Sequence, residues 1–227
     1  ASVIAEQALV LIAAKKFGRP VKWIGERMEA FLADGHGRDV TMTGELALDA
    51  DARILGLRLT SAANMGAYMS HVAPYIPTVG LRVMGGVYRV PAVYANVKGY
   101  VTNTTSITSY RGAGRPEAIY ITERLMDMAA AAFKMDRVEI RRRNLIADDA
   151  HPSQGPSGIK FEALSHHQAL AHLDSMMNYA NLRAEQEALR KKGIYRGIGF
   201  ASFIEVTNPS AAFYGVGGAR ISAQDGA

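Results

Sequence analysis

The tightest constraint on how this chain can fold is a pair of glycines placed just before a proline. Residues 110–117 read Tyr-Arg-Gly-Ala-Gly-Arg-Pro-Glu. Glycine accepts positive φ angles and allows close backbone approach, and proline is favoured in the first turn of a helix. Gly112 and Gly114 therefore predict a tight loop, and Pro116 predicts the start of a helix that continues to about residue 134.

This loop also has the chemistry of an anion site. A helix N-terminus presents backbone N–H groups and the positive end of the helix dipole. Arg111 and Arg115 add guanidinium groups, which bind carboxylates and phosphates. The alternative is an ordinary turn into a helix with solvated arginines. Short glycine motifs are common, so the local residues leave both interpretations open.

Strands and helices are mixed along the rest of the chain. Alternating apolar residues predict strands, and apolar residues at 3.6-residue spacing predict helices. Strands are predicted at residues 21–24, 40–48, 54–62, 95–102 and 195–206, with a hairpin partner at 219–223. Helices are predicted at 2–16, 26–32, 116–134, 136–144 and 167–192, with a loop and a short helix within 64–87. Without a regular βαβ order, this pattern indicates an α+β fold of mixed hairpins and sheets packed with several helices.

Three local signals add detail to this pattern. In the helix at 116–134, the core-facing stripe is expected to contain Ala118, Ile121, Leu125, Met128 and Ala132. Asp136 is expected to cap the next helix. A polar stretch rich in Pro, Gly and Ser follows that helix. We therefore divide the chain into a first region at 1–146, a linker loop at 147–166 and a second region at 167–227.

Composition excludes several functions. The 227 residues contain no cysteine, which excludes disulfides and thiolate metal ligands within them. The six histidines fall in no metal-binding motif, so we predict no metal site built from these side chains. The net charge of +5 is modest and comes largely from two short runs typical of helix ends. We therefore expect no nucleic-acid partner.

The chain has no run of about 18 apolar residues, the length needed to span a membrane. Its first residues lack the charged start and the cleavage site of a signal peptide. We therefore expect a cytoplasmic protein without a membrane span. The sequence opens inside a helical pattern and stops at a turn that lacks its second strand, so we expect an internal fragment of a longer polypeptide.

Five motifs occur in a fixed order. They are GRPVKWIGER at 18–27, NMGAY at 64–68, GVY to VTN at 86–103, YRGAGRPE at 110–117 and RRRNL at 141–145. In this order and at these intervals, the chain resembles the molybdopterin-binding large subunit of the molybdenum hydroxylases. That family includes xanthine dehydrogenase, aldehyde oxidase and the carbon monoxide dehydrogenase large chain. The resemblance covers almost the whole chain.

The resemblance implies an enzyme that uses molybdopterin, the molybdenum cofactor, to oxidise an aldehyde or N-heterocycle with water as the oxygen source. Iron–sulfur clusters and FAD would lie on partner subunits, in what we expect to be a dimer of heterotrimers. The two regions of the chain would be the first part of the molybdopterin-binding region and the start of a second subdomain. The family's catalytic glutamate would lie outside these residues. We therefore assign no catalytic residue and expect the chain alone to be inactive.

By the same resemblance, Arg111, Gly112, Ala113 and Gly114 bind the cofactor, and Gly112 and Ala113 also line the substrate pocket. Carbon monoxide enzymes carry a copper-binding cysteine where this chain has Gly112. Purine hydroxylases carry a phenylalanine where it has Ala113. These departures disfavour a copper–molybdenum site and a purine substrate. A carbon monoxide dehydrogenase-type chain without that cysteine, and a non-catalytic binding or assembly module, remain as alternatives.

Overall fold

A three-stranded mixed sheet forms the centre of the fold. The computed structural model describes residues 5–69 and 73–204. β1 (Val40–Leu48) and β2 (Ile54–Gly66) form an antiparallel hairpin, and β3 (Val93–Val101) pairs in parallel with β2. The strand order is therefore β1-β2-β3. The predicted α+β class is confirmed.

The hairpin turn is stabilised by a single aspartate. The side chain of Asp49 accepts hydrogen bonds from the backbone N–H groups of Asp51 at 2.9 Å and Arg53 at 2.8 Å. Aspartate often stabilises a turn by bonding its own backbone in this way. The strand predicted at 54–62 is confirmed, but it continues to Gly66.

The crossover between the parallel strands β2 and β3 carries two short helices. They are α3 (Ile76–Val79) and a 3₁₀ helix (Gly80–Val83). The 3₁₀ helix packs against α4 (Arg115–Ala132), and α4 also packs against β1. The crossover therefore holds the start of α4 beside the sheet.

The remaining elements are mostly helices. They are α1 (Ala5–Phe17), α2 (Arg27–Ala33), α5 (Arg137–Asn144), α6 (His166–Met177) and α7 (Tyr179–Arg190), with a two-stranded sheet of β4 (Ser153–Gln154) and β5 (Lys160–Phe161). The predicted cap of α5 is confirmed, because the side chain of Asp136 accepts from the N–H of Val138 at 2.8 Å. The same carboxylate accepts from the hydroxyl of Tyr179 at 2.8 Å.

Three sequence predictions were wrong. No strand forms at residues 21–24, where Trp23 and Ile24 are exposed. No strand forms at 195–204 either, and the partner predicted at 219–223 lies outside the described residues. The long helix predicted at 167–192 is divided by Asn178, which has φ 49° and ψ 55°. Asparagine tolerates this left-handed conformation, which ends one helix and starts the next.

One main apolar cluster joins the sheet to α4 and α5. It contains Leu57, Leu59, Leu125, Met126 and Ile140, among others. The cluster also includes Leu170, Tyr179 and Phe200, so it extends past the linker proposed at 147–166. The predicted stripe on α4 is correct at Ala118, Ile121 and Leu125. It is wrong at Met128 and Ala132, which are exposed, whereas Met126 and Ala129 are buried.

A charged network is buried beside this core. Arg141 is fully buried, and its guanidinium group donates to the Glu123 carboxylate at 2.9 Å and to the Asp127 carboxylate at 3.0 Å. The hydroxyl of Tyr88 donates to Glu123 at 2.5 Å. Burial, together with the nearby Glu123 charge, raises the pKa of Tyr88, so this hydroxyl stays protonated. Arg141 also donates to the carbonyl of Phe200 at 3.1 Å, which ties the 196–204 segment to α4 and α5.

The first two helices contribute nothing to this core. Neither α1 nor α2 contains a buried residue. Their large apolar side chains include Leu9, Leu11, Ile12, Phe31 and Leu32, all more than half exposed. We call residues 5–34 the apolar arm.

Candidate functional site

The glycine loop predicted at 110–114 is a tight turn that leads directly into α4. The N–H of Ala113 donates to the carbonyl of Tyr110 at 2.8 Å, and the N–H of Arg115 donates to the carbonyl of Gly112 at 3.0 Å. Gly112 has φ 88° and Gly114 has φ 83°. Both angles lie in the left-handed region that favours glycine. The loop and helix start are therefore as predicted.

The start of α4 has fewer free donors than an anion cradle requires. The N–H of Arg115 already donates within the loop, and Pro116 has no N–H. The side chain of Glu117 also lies in the first helical turn, where a carboxylate is favoured. An external anion at this helix end would therefore meet a negative charge and few unpaired N–H groups.

Gly114 is needed for internal packing. A Cβ atom on Gly114 would lie 2.6 Å from the carbonyl oxygen of Ile76 and 2.7 Å from the backbone nitrogen of Gly80. A Cβ atom on Gly80 would lie 2.2 Å from the carbonyl oxygen of Gly114. The loop and the 3₁₀ helix therefore touch backbone to backbone. No local pattern predicts this role for Gly80, because the contact joins residues that are 34 positions apart.

The other loop residues are more open. Arg111 is exposed, and Gly112 and Ala113 are half-buried. At position 112 there is no side chain, and at position 113 there is only a methyl group. The backbone from 111 to 113 is therefore a surface that a ligand can approach closely.

A network around Asn64 supports the segments on either side of the loop. The side-chain amide of Asn64 donates to Asp39 at 2.7 Å and to the Thr104 hydroxyl at 2.9 Å. Its oxygen accepts from the Thr102 hydroxyl at 2.6 Å and from the N–H of Gly66 at 2.8 Å. The motifs at 64–68 and 101–103 are thus joined in space, next to the chain that leads into the loop.

A small cavity lies under the loop. It is bounded by the sheet, by α3 and the 3₁₀ helix, and by Gly114, Glu117 and Ala118. Its volume of about 20 Å³ is enough for about one water molecule. Both carboxylate oxygens of Glu117 are buried here without a hydrogen-bond partner. This cavity is therefore too small for a cofactor of molybdopterin size.

A wider groove of about 510 Å³ lies between α4 and α7, lined partly by Asp127, Arg137, Tyr179 and Arg183. It includes none of the loop residues. Among the described residues, no three His, Asp or Glu side chains are grouped so that they could hold a metal ion. No helix in that part of the chain is long and apolar enough to cross a membrane.

Comparison with known proteins assigns the chain to a family. A model of the molybdopterin cofactor-binding domain matches residues 1–145, more than half of the chain. This chain belongs to the molybdopterin cofactor-binding domain family. The matched residues contain the apolar arm, the sheet, the glycine loop, α4 and α5.

This molybdopterin cofactor-binding domain is similar to large subunits of known enzymes. It is 35% identical to the carbon monoxide dehydrogenase large chain of Hydrogenophaga pseudoflava over 86% of this chain and 25% of that protein. It is 32% identical to the nicotine 6-hydroxylase large subunit of Paenarthrobacter nicotinovorans over 96% of this chain and 27% of that protein. The domain thus spans about a quarter of the length of these relatives.

The fold of the domain also matches a solved enzyme. Quinoline 2-oxidoreductase from Pseudomonas putida 86 superposes with a TM-score of 0.75 and 33% identity, over 83% of this chain and 24% of that one. The residues of the loop are compatible with the cofactor as one wall of its site, because Gly112 and Ala113 leave the backbone accessible. The small cavity under the loop does not enclose such a site by itself.

Proposed function

We propose that this domain is part of the large chain of a molybdenum-dependent hydroxylase or dehydrogenase that oxidises an aldehyde or an N-heterocycle. The observation that carries the proposal is the open backbone at 111–113 in a family of molybdopterin-binding domains. The names of the relatives support the substrate class, because two of them act on the N-heterocycles nicotine and quinoline. The oxygen would come from water.

Arg111, Gly112, Ala113 and Gly114 are the proposed cofactor-binding residues, with Gly112 and Ala113 also in the substrate pocket. When bound, molybdopterin would supply the molybdenum that accepts electrons from the substrate. The role of this chain would be to form one rigid wall of the molybdopterin site. The turn hydrogen bonds of Ala113 and Arg115 fix that wall. The small residue at 113 leaves room for a planar ring.

The rest of the enzyme is also a proposal. Iron–sulfur clusters and FAD on partner subunits would carry the electrons away, in a cytoplasmic dimer of heterotrimers. Residues 1–146 would form the first part of the molybdopterin-binding region, and residues 167–227 the start of a second subdomain after the 147–166 linker. We expect the 227 residues alone to be inactive, because they would supply one wall of the site and no base.

Carbon monoxide oxidation is the second candidate function. It is favoured by the 35% identity to the carbon monoxide dehydrogenase large chain. Because the chain has no cysteine, such an enzyme would have to work without a copper-binding thiolate from this region. Assaying the complete complex with a dye acceptor, on aldehydes, N-heterocycles and carbon monoxide, separates the two candidates.

Placement of the loop at the cofactor is tested by Gly112→Val in the complete protein. The new side chain would block close approach, and its Cβ would lie about 3.0 Å from the ring of Pro116. We expect kcat to fall about 100-fold, as for other misplacements near 1 Å. Gly18→Val is the matched control, because Gly18 also has a positive φ but has no atom within 4 Å of its Cβ position. A kcat within twofold of wild type for Gly112→Val would show that the loop does not line the cofactor site.

A further inference from the structure

Arg38 lies against the outer part of the glycine loop although it is 73 residues away from Arg111 in sequence. It directly precedes Asp39 and β1, and its φ is 60°. This left-handed conformation is uncommon for a residue other than glycine. Such backbone angles persist only where surrounding contacts hold them.

The side chain of Arg38 makes three contacts, all with residues of the loop or the start of α4. Its Nη2 atom donates a hydrogen bond to the backbone carbonyl of Arg111. Its guanidinium carbon lies 4.7 Å from the ring centroid of Tyr110, over the ring face. Its Nε atom lies 3.7 Å from Oε1 of Glu117, in an ion pair. One guanidinium group therefore joins the start of the loop to the first turn of α4.

The backbone before Arg38 follows the same course as the chain that enters the loop. The N–H of His36 donates to the carbonyl of Ser106 at 3.1 Å, and the N–H of Thr108 donates to the carbonyl of His36 at 2.8 Å. A Cβ atom on Gly37 would lie 3.0 Å from Cβ of Tyr110. This short parallel pairing brings Arg38 to the loop and sets its distance from the Arg111 carbonyl.

We propose that Arg38 is a positioning residue of this site, which fixes the backbone of residues 110–112 for the cofactor and the substrate. The inference rests on the proposed function of the loop. Arg38 would act through the carbonyl of Arg111, to which it donates a hydrogen bond. Because its Nη2 atom also lies 3.6 Å from the Cβ position of Gly112, it limits how far the loop can move towards it.

Only arginine can make these contacts together. The guanidinium group is planar, stacks on aromatic rings and donates in several fixed directions, whereas a lysine ammonium is a point charge on a flexible stem. Lysine at position 38 could keep the ion pair with Glu117. It would lose the combination of stacking on Tyr110 and bonding to Arg111. The two substitutions, to lysine and to methionine, therefore separate charge from geometry.

The test uses the complete holoenzyme with Arg38→Met, Arg38→Lys and the double variant Arg38→Met/Glu117→Gln. The double variant removes the carboxylate that Arg38→Met leaves unpaired, so it separates a stability loss from loop movement. Arg58→Met is the matched control, because Arg58 also pairs with a carboxylate, that of Glu45, but on the exposed face of the hairpin. Hydrogen exchange of the 106–116 peptide, molybdenum content, kcat and KM are measured for each.

We expect exchange at the amides of Ala113 and Arg115 to rise about tenfold or more in Arg38→Met, because local opening sets the exchange of such bonds. Arg38→Lys should be intermediate. In both, kcat should fall with little change in KM or molybdenum content, and removing the unpaired carboxylate in the double variant should not restore kcat. Arg58→Met should match wild type in all four measurements.

Two results would overturn different statements. Wild-type exchange of the 106–116 peptide in Arg38→Met, Arg38→Lys and the double variant would show that Arg38 does not position the loop. The proposed function would then still stand on Gly112→Val. Faster exchange with unchanged kcat would instead show that Arg38 orders the loop without affecting the reaction, which overturns its role as a positioning residue of the site. Whether the loop itself lies at the site would still be decided by Gly112→Val.

Discussion

Replacing Arg141 with methionine should strongly destabilise the protein. Methionine has a similar length and fills much of the same volume, but it donates no hydrogen bonds. The change removes the bonds from Arg141 to Glu123, Asp127 and the carbonyl of Phe200. Glu123, with 7% of its surface exposed, keeps only the hydroxyl of Tyr88 as a described partner.

The expected loss follows from that unpaired carboxylate. Breaking a buried ion pair by removing one partner costs about 3–5 kcal/mol, because a charge remains without compensation. With a urea m-value of about 2 kcal/mol/M, the midpoint of unfolding should fall by about 1.5–2.5 M. The double variant Arg141→Met/Glu123→Gln should recover at least about half of this loss. It removes the buried charge at position 123, and glutamine there still accepts from Tyr88.

Urea denaturation followed by circular dichroism measures these midpoints. Arg58→Met, which breaks an exposed pair with Glu45, should leave the midpoint unchanged within error. A midpoint for Arg141→Met within about 0.5 M of wild type would refute the reasoning. So would a double variant that loses as much as the sum of the two single variants, because the network would then contain no coupling.

Three further predictions follow from other parts of the fold. An alanine in the left-handed conformation costs about 1–2 kcal/mol. Gly114→Ala should lower the free energy of unfolding by more than this, because its Cβ would also meet backbone atoms. Gly18→Ala should stay within that range in the same urea titration, because its Cβ would meet nothing within 4 Å. Leu125→Ala should lower the free energy of unfolding by about 2–5 kcal/mol, since Leu125 is only 8% exposed. Leu11→Ala should lower it little, because Leu11 is 71% exposed. Equal losses of stability in the two variants would contradict the assigned burial. Burial, aided by His151 and His167 and opposed by Asp148, lowers the pKa of His166 from 6.5. The unfolded state therefore binds more protons, and stability should fall as the pH drops below about 6.5. His166→Asn should make this fall of stability with pH shallower. The same change at His172, which is exposed on the same helix, should leave it unchanged. Identical slopes of stability against pH for wild type and His166→Asn would show that His166 does not cause the fall.

Local signals predicted the parts of the fold that depend on a few neighbouring residues. The cap at Asp136 and the helix start at Pro116 each need only a residue type at a fixed offset. The strand at 21–24 was predicted from four residues, and such a short apolar run does not distinguish a strand from other structure. The break at Asn178 was missed because the apolar spacing continues across it.

The contacts that define the site were beyond such signals. The sequence indicated the loop at 110–114, but nothing near Arg38 or Gly80 predicted that they touch it. Arg141 was interpreted as part of a basic helix end, whereas it is fully buried because Glu123 and Asp127 on α4 face it. The contacts of Arg38 and Gly80 depend on distant segments that the bridge between His36 and Ile107 and the β2–β3 crossover bring together. The contacts of Arg141 depend on how α4 and α5 pack against each other.

The backbone contact between Gly80 and Gly114 has a consequence for how such sites can diverge. A side chain at either position would strike main-chain atoms of the other segment, so no second substitution at the opposite position can make room for it. We therefore expect both positions to remain glycine. Ala113, between two constrained glycines, is open to change without moving the chain. If Ala113 lines the substrate pocket as proposed, a saturation library at this position should change which substrates the enzyme accepts while the loop backbone stays the same.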